Sequence, residues 1–101
     1  MRISRSSATR RVDFVKIDVA GAEAAVWDGM QGLVARNPDI RILMQFGAYR
    51  HADPAGLLSR IARTFPLRMV EGTGRARACS VAEVATREGD TMLYLARSEP
   101  R

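Results

Sequence analysis

Residues 12–23, VDFVKIDVAGAE, carry the clearest structural pattern of this 101-residue chain. The first part of the stretch, residues 12–18, is rich in Val, Phe and Ile, and such a short apolar run favours a β-strand. Within the body of the strand only Asp13 and Lys16 are charged, which is typical of a strand covered on both faces in a parallel sheet. The small residues that follow Asp18 predict a turn that leads into a helix.

The rest of the chain alternates helical and extended patterns. Apolar residues recur at helical spacing over residues 22–35, and Asn37-Pro38 ends this predicted helix. Residues 40–46 form a second apolar run and predict a second strand. Asp53 and the proline after it are typical of a helix start, so a second helix is predicted over residues 53–65. The remaining predictions are a strand over 67–70, a loop over 71–78, a short helix from Ser80 and a last strand over 91–96.

This order predicts an α/β fold, with about four strands and flanking helices, in a domain that covers residues 12–98. Residues 1–11 are polar and basic, and they predict a flexible basic arm. The strand over residues 12–18 is too apolar for a protected sheet edge, so a neighbour is expected to be missing on one side. An exposed apolar edge pairs with other chains, and the sequence therefore predicts self-association through residues 12–18.

Composition places the chain among globular proteins. Hydrophobic residues make up 47% and charged residues 27% of the sequence, close to ordinary globular values. No apolar run approaches the ~18 residues of a membrane helix, so no membrane partner is predicted. The basic start is not followed by the apolar segment of a secretory signal. Cys79 is the one cysteine, which excludes an internal disulfide and a cysteine-based metal site. Because disulfides are typical of secreted proteins, we expect an intracellular, cytoplasmic protein.

The formal net charge is +5, and of the 16 basic residues one is Lys16 and the others are arginines. Basic charge permits contact with nucleic acid or another anionic partner. However, the arginines are spread along the chain, and the aromatic residues are not interleaved with them as a base-stacking surface requires. The pattern argues against nucleic acid, while a basic protein that binds some other anionic partner stays an alternative.

Two polar residues fall where the first two strands end. Ligands of open α/β sheets bind beyond the carboxyl ends of the strands, and the two strands end near Asp18 and Gln45. If these strands are neighbours, a carboxylate and an amide share one rim of the sheet. The carboxylate could orient or deprotonate a hydroxyl or hold a cation, whereas the amide could only form hydrogen bonds. The alternative is structural, with Asp18 capping the turn and Gln45 a polar strand end.

The stretch from Lys16 to Glu23 resembles the signature of the FkbM-type methyltransferases. In that family a strand ends in Lys-Ile-Asp-Val-Glu-Gly-Ala-Glu, and this chain matches seven of those eight positions. A Val-Leu-x-Gly helix follows in the family and is similar to residues 26–29 here. The next strand of the family closes with Glu-Phe, where this chain has Gln45 and Phe46. The resemblance extends over residues 12–96.

The resemblance implies an S-adenosylmethionine-dependent transfer of a methyl group to an oxygen of a small molecule or sugar. It implies a partial Rossmann-like class I methyltransferase sheet, of which this chain holds the fourth to seventh strands, the last antiparallel. The acceptor would be a small molecule. On this basis Asp18 and Gln45 are the predicted catalytic residues, and Asp18 and Gly21 the predicted contacts of the cofactor. Glu23 is expected to fix the local turn.

Parts of the family pattern are not found in this chain. No Gly-rich strand-to-helix turn precedes residue 12, so most of the cofactor pocket is expected to be missing, and the domain to be truncated. The signature glutamate is Ala20, and the acid at the end of the second strand is Gln45. These differences keep open a non-catalytic remnant or interaction module that completes its sheet with a partner.

Two further residues are candidates at the rim. His51 follows the second strand on a polar segment and could act as an acid or base there, although such a histidine is more often simply exposed. Tyr49, two residues earlier, could line a pocket for the methyl acceptor.

Overall fold

The computed structural model describes residues 2–5, 12–18 and 21–97, and within these ranges the side chains from Phe14 onward. The strands are β1 (Arg2–Arg5), β2 (Val12–Ile17), β3 (Arg41–Gly47), β4 (Arg68–Val70), β5 (Ala76–Ala78) and β6 (Asp90–Ala96). The helices are α1 (Glu23–Gly29), α2 (Gln31–Arg36), α3 (Pro54–Thr64) and α4 (Val81–Ala85), and a 3-10 turn covers Ala48–Arg50. The described part of the chain is therefore an α/β structure, as the sequence predicts.

The strands form one mixed sheet in the order β1-β2-β3-β6-β4-β5. β2 and β3 are adjacent and parallel, which confirms the prediction for the two apolar strands at residues 12–18 and 40–46. β6 lies between β3 and β4 and runs antiparallel to both. Its first residue therefore lies at the edge of the sheet where β3 ends.

Two strands were not predicted. β1 pairs antiparallel with β2, so residues 2–5 of the predicted flexible arm form a strand, while residues 1 and 6–11 lie outside the described residues. The same pairing occupies the edge of β2 that was expected to be free, and this premise of the predicted self-association through residues 12–18 is wrong. β5 pairs antiparallel with β4, within the segment predicted as a loop.

The helix predicted over residues 22–35 is divided in two. α1 ends at Gly29, and the backbone N–H of Met30 donates to the carbonyl oxygens of Val26 and Trp27. α2 begins directly afterwards at Gln31. The division falls next to Gly29, and glycine weakens a helix by about 1 kcal/mol relative to alanine.

The two faces of the sheet differ in burial. One face carries side chains with no exposed surface, namely Val15, Ile17, Ile42, Met44, Phe46, Leu93 and Leu95. On the other face Lys16, Leu43 and Tyr94 pair across three strands, and the lysine is exposed while the other two are half-buried. This difference places the core on the first face and leaves the second face open in the described part of the chain.

Two helices begin with the caps that the sequence predicts. The Asp53 side chain accepts a hydrogen bond from the Gly56 backbone N–H at 3.0 Å, with Pro54 as the first residue of α3. Ser80 accepts one from the Glu83 N–H at 3.0 Å at the start of α4. Such caps contribute about 1 kcal/mol each. Among the described residues, no helix is long and apolar enough to cross a membrane.

Candidate functional site at the carboxyl edge of the sheet

The ends of β2 and β3 bring Asp18 and Gln45 to the same edge of the sheet. Ile17 of β2 pairs with Met44 of β3 in parallel register, and the next residue of each strand is one of the two predicted catalytic residues. Asp18 is exposed and forms no hydrogen bond or ion pair with another described residue. Its carboxylate therefore has its full capacity to accept hydrogen bonds.

Gln45, unlike Asp18, has a side-chain hydrogen-bond partner. This partner is Asp90, an acid that the sequence analysis did not identify as a site residue. The Nε2 atom of Gln45 donates to Oδ2 of Asp90 at 2.8 Å. Asp90 is the first residue of β6 and pairs with Gly47 at the end of β3. The antiparallel direction of β6 thus brings a carboxylate to the end of β3.

Tyr49 and Arg50 also bind Asp90. The Tyr49 hydroxyl donates to Oδ1 of Asp90 at 2.9 Å, and Nη1 of Arg50 lies 2.9 Å from the same oxygen. The Arg50 guanidinium also stacks over the Tyr49 ring, 4.6 Å from its centroid. We call Gln45, Tyr49, Arg50 and Asp90 the Asp90 cluster.

The bonds within the Asp90 cluster shift two pKa values in opposite directions. Hydrogen bonds from Gln45 and then Tyr49 stabilise the ionised form and hold the pKa of Asp90 below its usual value. The hydrogen bond to Asp90 raises the pKa of Tyr49 above its usual value, because the phenol must keep its proton to donate. The cluster is consequently a fixed, ionised carboxylate with its neighbours arranged around it.

Gly21 occupies the turn between β2 and α1. Its φ is +90°, a left-handed conformation that favours glycine. A Cβ atom at this position would lie 3.9 Å from the Cβ of Arg50, an ordinary contact. The glycine is therefore explained by the turn itself, and its predicted contact with a cofactor stays a prediction. Ala20 lies outside the described residues.

Glu23 and His51 form a buried pair. Nε2 of His51 lies 3.6 Å from Oε1 of Glu23, and the two side chains retain only 8% and 0% of their exposure. Neither the Glu23 oxygens nor His51 Nε2 has a hydrogen-bond partner in the part of the chain that the structure describes. The simple expectation of an exposed histidine is therefore wrong, and Glu23 faces the histidine as well as starting α1.

A cleft of about 460 Å³ adjoins this pair. It is lined by Ala24, His51, Ala52, Asp53, Gly56, Leu57, Arg60 and Arg63. Of the predicted site residues, His51 lines this cleft, whereas Asp18, Gly21, Gln45 and Tyr49 do not. The structure thus separates the predicted site into the rim at Asp18, the Asp90 cluster and the buried pair beside the cleft.

Sequence reasoning missed Asp90, Arg50, Arg60 and Arg63. A signal for Asp90 exists, because an acid that opens an antiparallel neighbour of β3 must lie at the carboxyl edge of β3. Within the described ranges, no group of three or more His, Cys, Asp or Glu side chains could hold a metal ion.

Comparisons with family models, with curated proteins and with solved structures give no match to this chain.

Proposed function

We propose that this chain is the C-terminal part of an S-adenosylmethionine-dependent methyltransferase domain of the FkbM type. Its reaction would be methyl transfer to a hydroxyl oxygen of a small molecule or sugar. The observation that carries the proposal is the block from Lys16 to Glu23, which places Asp18 at the end of a strand and Gly21 in the following turn.

The arrangement of the sheet supports this proposal. The parallel pair β2 and β3 is followed in the sheet by the antiparallel last strand, β6, and the resemblance implies an antiparallel last strand. β2 and β3 end at one edge, where a ligand of an open α/β sheet is expected.

The rim residues fit a cofactor contact in part. S-adenosylmethionine supplies a methyl group activated by its sulfonium. Asp18 is an exposed carboxylate without a described partner, so it is suited to accept hydrogen bonds from ribose hydroxyls or from an ammonium group. Gln45 already donates one N–H to Asp90, which leaves its second N–H and its carbonyl oxygen for a ligand. Since an amide cannot take a proton, Gln45 is proposed as a positioning residue and Asp18 as the group that contacts the ligand.

The test is a titration of the isotope-labelled chain with S-adenosylhomocysteine, followed by the backbone amide signals in NMR spectra. We expect a dissociation constant of about 1 mM or weaker, because one exposed carboxylate and one turn give a small contact surface. The signals that move should be those of Asp18, Gly21 and Gln45. Asp18→Asn should weaken binding, whereas Glu88→Gln, which changes an exposed acid in a turn, should not.

The proposal fails if S-adenosylhomocysteine moves no signal at the rim, or if adenosine triphosphate moves the same signals equally. A parallel assay with radiolabelled S-adenosylmethionine and hydroxylated acceptors measures methyl transfer directly. Any transfer should be lost in Asp18→Asn.

A second candidate is an interaction module without catalysis. The observation that favours it is the open face of the sheet, where Phe14, Leu43, Met92 and Tyr94 are half-buried beside the exposed Lys16. Parallel strands are normally covered on both faces. Hydrogen exchange of the Leu43 and Tyr94 amides distinguishes the two candidates, since a partner on this face would slow their exchange and a small ligand at the rim would not.

A further inference from the structure

Glu23 is fully buried at the start of a helix. It lies in the first turn of α1, and neither carboxylate oxygen accepts a hydrogen bond from a described residue. Burial of an unpartnered ionisable group is costly, so such a group in a folded protein generally has a compensating neighbour. Among the described residues the basic group beside it is His51, with Nε2 at 3.6 Å from Oε1.

The His51 ring is held in one orientation. It stacks on Phe46 with the ring centroids 5.0 Å apart and the planes 6° from parallel. Its backbone N–H donates to the Ala48 carbonyl at 3.2 Å and fixes the chain after the 3-10 turn. A carboxylate beside one ring nitrogen selects the tautomer with the proton on that nitrogen. With the proton on Nε2, towards Glu23, Nδ1 keeps a lone pair that can accept a proton.

The separation of 3.6 Å between Glu23 and His51 is longer than a hydrogen bond. Carboxylate–histidine contacts of this kind are often long without a ligand and shorten when one binds. The separation is therefore compatible with an acid–base pair whose contact shortens when a ligand binds.

His51 also lines the cleft, which offers a second kind of contact. Gly56, Arg60 and Arg63 lie at spacings of four and three residues along one side of α3 and line the cleft together. Arg60 is already bound to Asp28 at 2.8 Å. Arg63 forms no ion pair with another described residue. Arg63 thus provides the cleft with a cationic side chain that has no described ion-pair partner, about 10 Å along the helix from Gly56.

We propose that this cleft binds a small hydroxylated acid, with the hydroxyl group at His51 and the carboxylate or phosphate at Arg63. The cavity volume of about 460 Å³ lies within the range of small-molecule sites, and the apolar Ala24 and Leu57 would contact the body of the ligand. His51 is the proton acceptor and Glu23 is its positioning residue.

The chemical step is a proton transfer. The ligand O–H bond breaks, its electron pair stays on the oxygen, and the proton moves to Nδ1 of His51. The imidazolium that forms is stabilised by the Glu23 carboxylate. Binding in this cleft does not depend on the proposed function. The use of the deprotonated oxygen as a methyl acceptor rests on it.

The experiment uses three probes on the whole chain. 4-Hydroxybenzoate carries both groups, benzoate lacks the hydroxyl, and 4-hydroxybenzamide lacks the negative charge. The sequence contains a single histidine, so its ring nitrogens can be assigned directly in long-range proton–nitrogen NMR spectra. We expect 4-hydroxybenzoate to shift Nδ1 of His51 together with amides of α3. Benzoate should shift the α3 amides alone, and 4-hydroxybenzamide should bind about tenfold more weakly.

Variants separate the two contacts. Arg63→Gln should weaken 4-hydroxybenzoate binding about tenfold, whereas Arg75→Gln, which removes an exposed arginine outside the cleft, should leave it unchanged. Glu23→Gln replaces the carboxyl group with an amide of the same shape, and it should change the chemical shifts of the His51 ring nitrogens even without a probe. His51→Asn should abolish the difference between 4-hydroxybenzoate and benzoate.

The proposal is overturned if 4-hydroxybenzoate moves no cleft signal up to about 20 mM, or if the three probes bind equally. It is also overturned if Glu23→Gln, folded, leaves the His51 ring signals unchanged. The S-adenosylhomocysteine titration reports on Asp18 and Gly21 instead, so failure there would remove the proposed function without affecting the cleft.

Discussion

Replacing Gly47 with alanine tests the close packing of the Asp90 cluster against the end of β3. A Cβ atom at Gly47 would lie 2.6 Å from Oδ1 of Asp90, 2.8 Å from Cε1 of Tyr49 and 3.0 Å from Nη1 of Arg50. The φ of Gly47 is −122°, which any residue adopts. The expected effect is therefore steric, and the side chains of the cluster must move apart to admit the methyl group.

The magnitude follows from two opposing contributions. Forcing a methyl group into a filled site costs about 1–3 kcal/mol, and replacing glycine stabilises the fold by about 0.4–1 kcal/mol through the unfolded chain. We expect Gly47→Ala to lower the free energy of unfolding by about 1 kcal/mol. Gly29→Ala is the matched control, because a Cβ atom there meets nothing within 4 Å at the end of α1, and it should raise the free energy by about 0.5 kcal/mol.

The assay is chemical denaturation with thermal melts of both variants and the parent chain. The two variants should differ by about 1.5 kcal/mol, which corresponds to roughly 6–12 °C in melting temperature for a domain of this size. A second readout is the ultraviolet titration of tyrosine, since the raised pKa of Tyr49 depends on its bond to Asp90 and should return towards its usual value in Gly47→Ala. If Gly47→Ala is as stable as Gly29→Ala, the described packing of the cluster is wrong.

Three further predictions concern stability and association. Arg97 donates to the carbonyls of Asn37, Pro38 and Val34 at 3.1–3.2 Å. Arg97→Ala should therefore lower the free energy of unfolding by about 2 kcal/mol, measured by chemical denaturation. The control is the exposed Arg75→Ala, which should lower it by under about 0.5 kcal/mol. Because the pKa of Asp90 is lowered in the folded state, its stabilisation is present above the usual carboxyl range and is lost as the pH falls below about 4. Asp90→Asn should flatten that acid dependence of the free energy of unfolding, and an unchanged slope would contradict it. Deleting residues 1–5 uncovers the edge of β2 and should produce dimers or larger species in light scattering; a deletion variant that stays monomeric would contradict this.

Much of the fold could be predicted because its central elements carry strong local patterns. The apolar runs at β2 and β3 and the capped start of α3 are visible in the sequence itself. β1 and β5 carry no such pattern, as Arg2–Arg5 and Ala76–Ala78 contain few apolar residues. They are strands because they pair with β2 and β4, and this pairing is a tertiary effect that a local window cannot detect.

The site was harder to predict because its contacts are distant in sequence. Gln45 and Asp90 are 45 positions apart, and the register of β3 and β6 brings them together. Trp27 gives a similar lesson within the core. It falls outside the apolar stripe of its predicted helix, yet it is buried and packs edge-on against Phe65 with centroids 5.9 Å apart. The buried side chains of α1, α2 and the residue between them are Glu23, Trp27, Met30 and Val34. Their spacings of four, three and four residues form one continuous helical period, and the predicted stripe missed it because small apolar residues such as Ala22, Ala25 and Val26 set that stripe.

The polar residues at the carboxyl edge differ in how much of their hydrogen-bonding capacity is already used. Asp90 accepts bonds from Gln45, Tyr49 and Arg50, so the ligand would have to displace protein groups to reach it. Among the described residues, Asp18 has no such partner, and the Glu23 oxygens and His51 Nε2 take part in no hydrogen bond. A group that is saturated within the protein can hold the shape of a site, whereas a group that is unsaturated has free capacity for a ligand. This contrast assigns a structural role to the Asp90 cluster and directs the search for chemistry to Asp18 and His51.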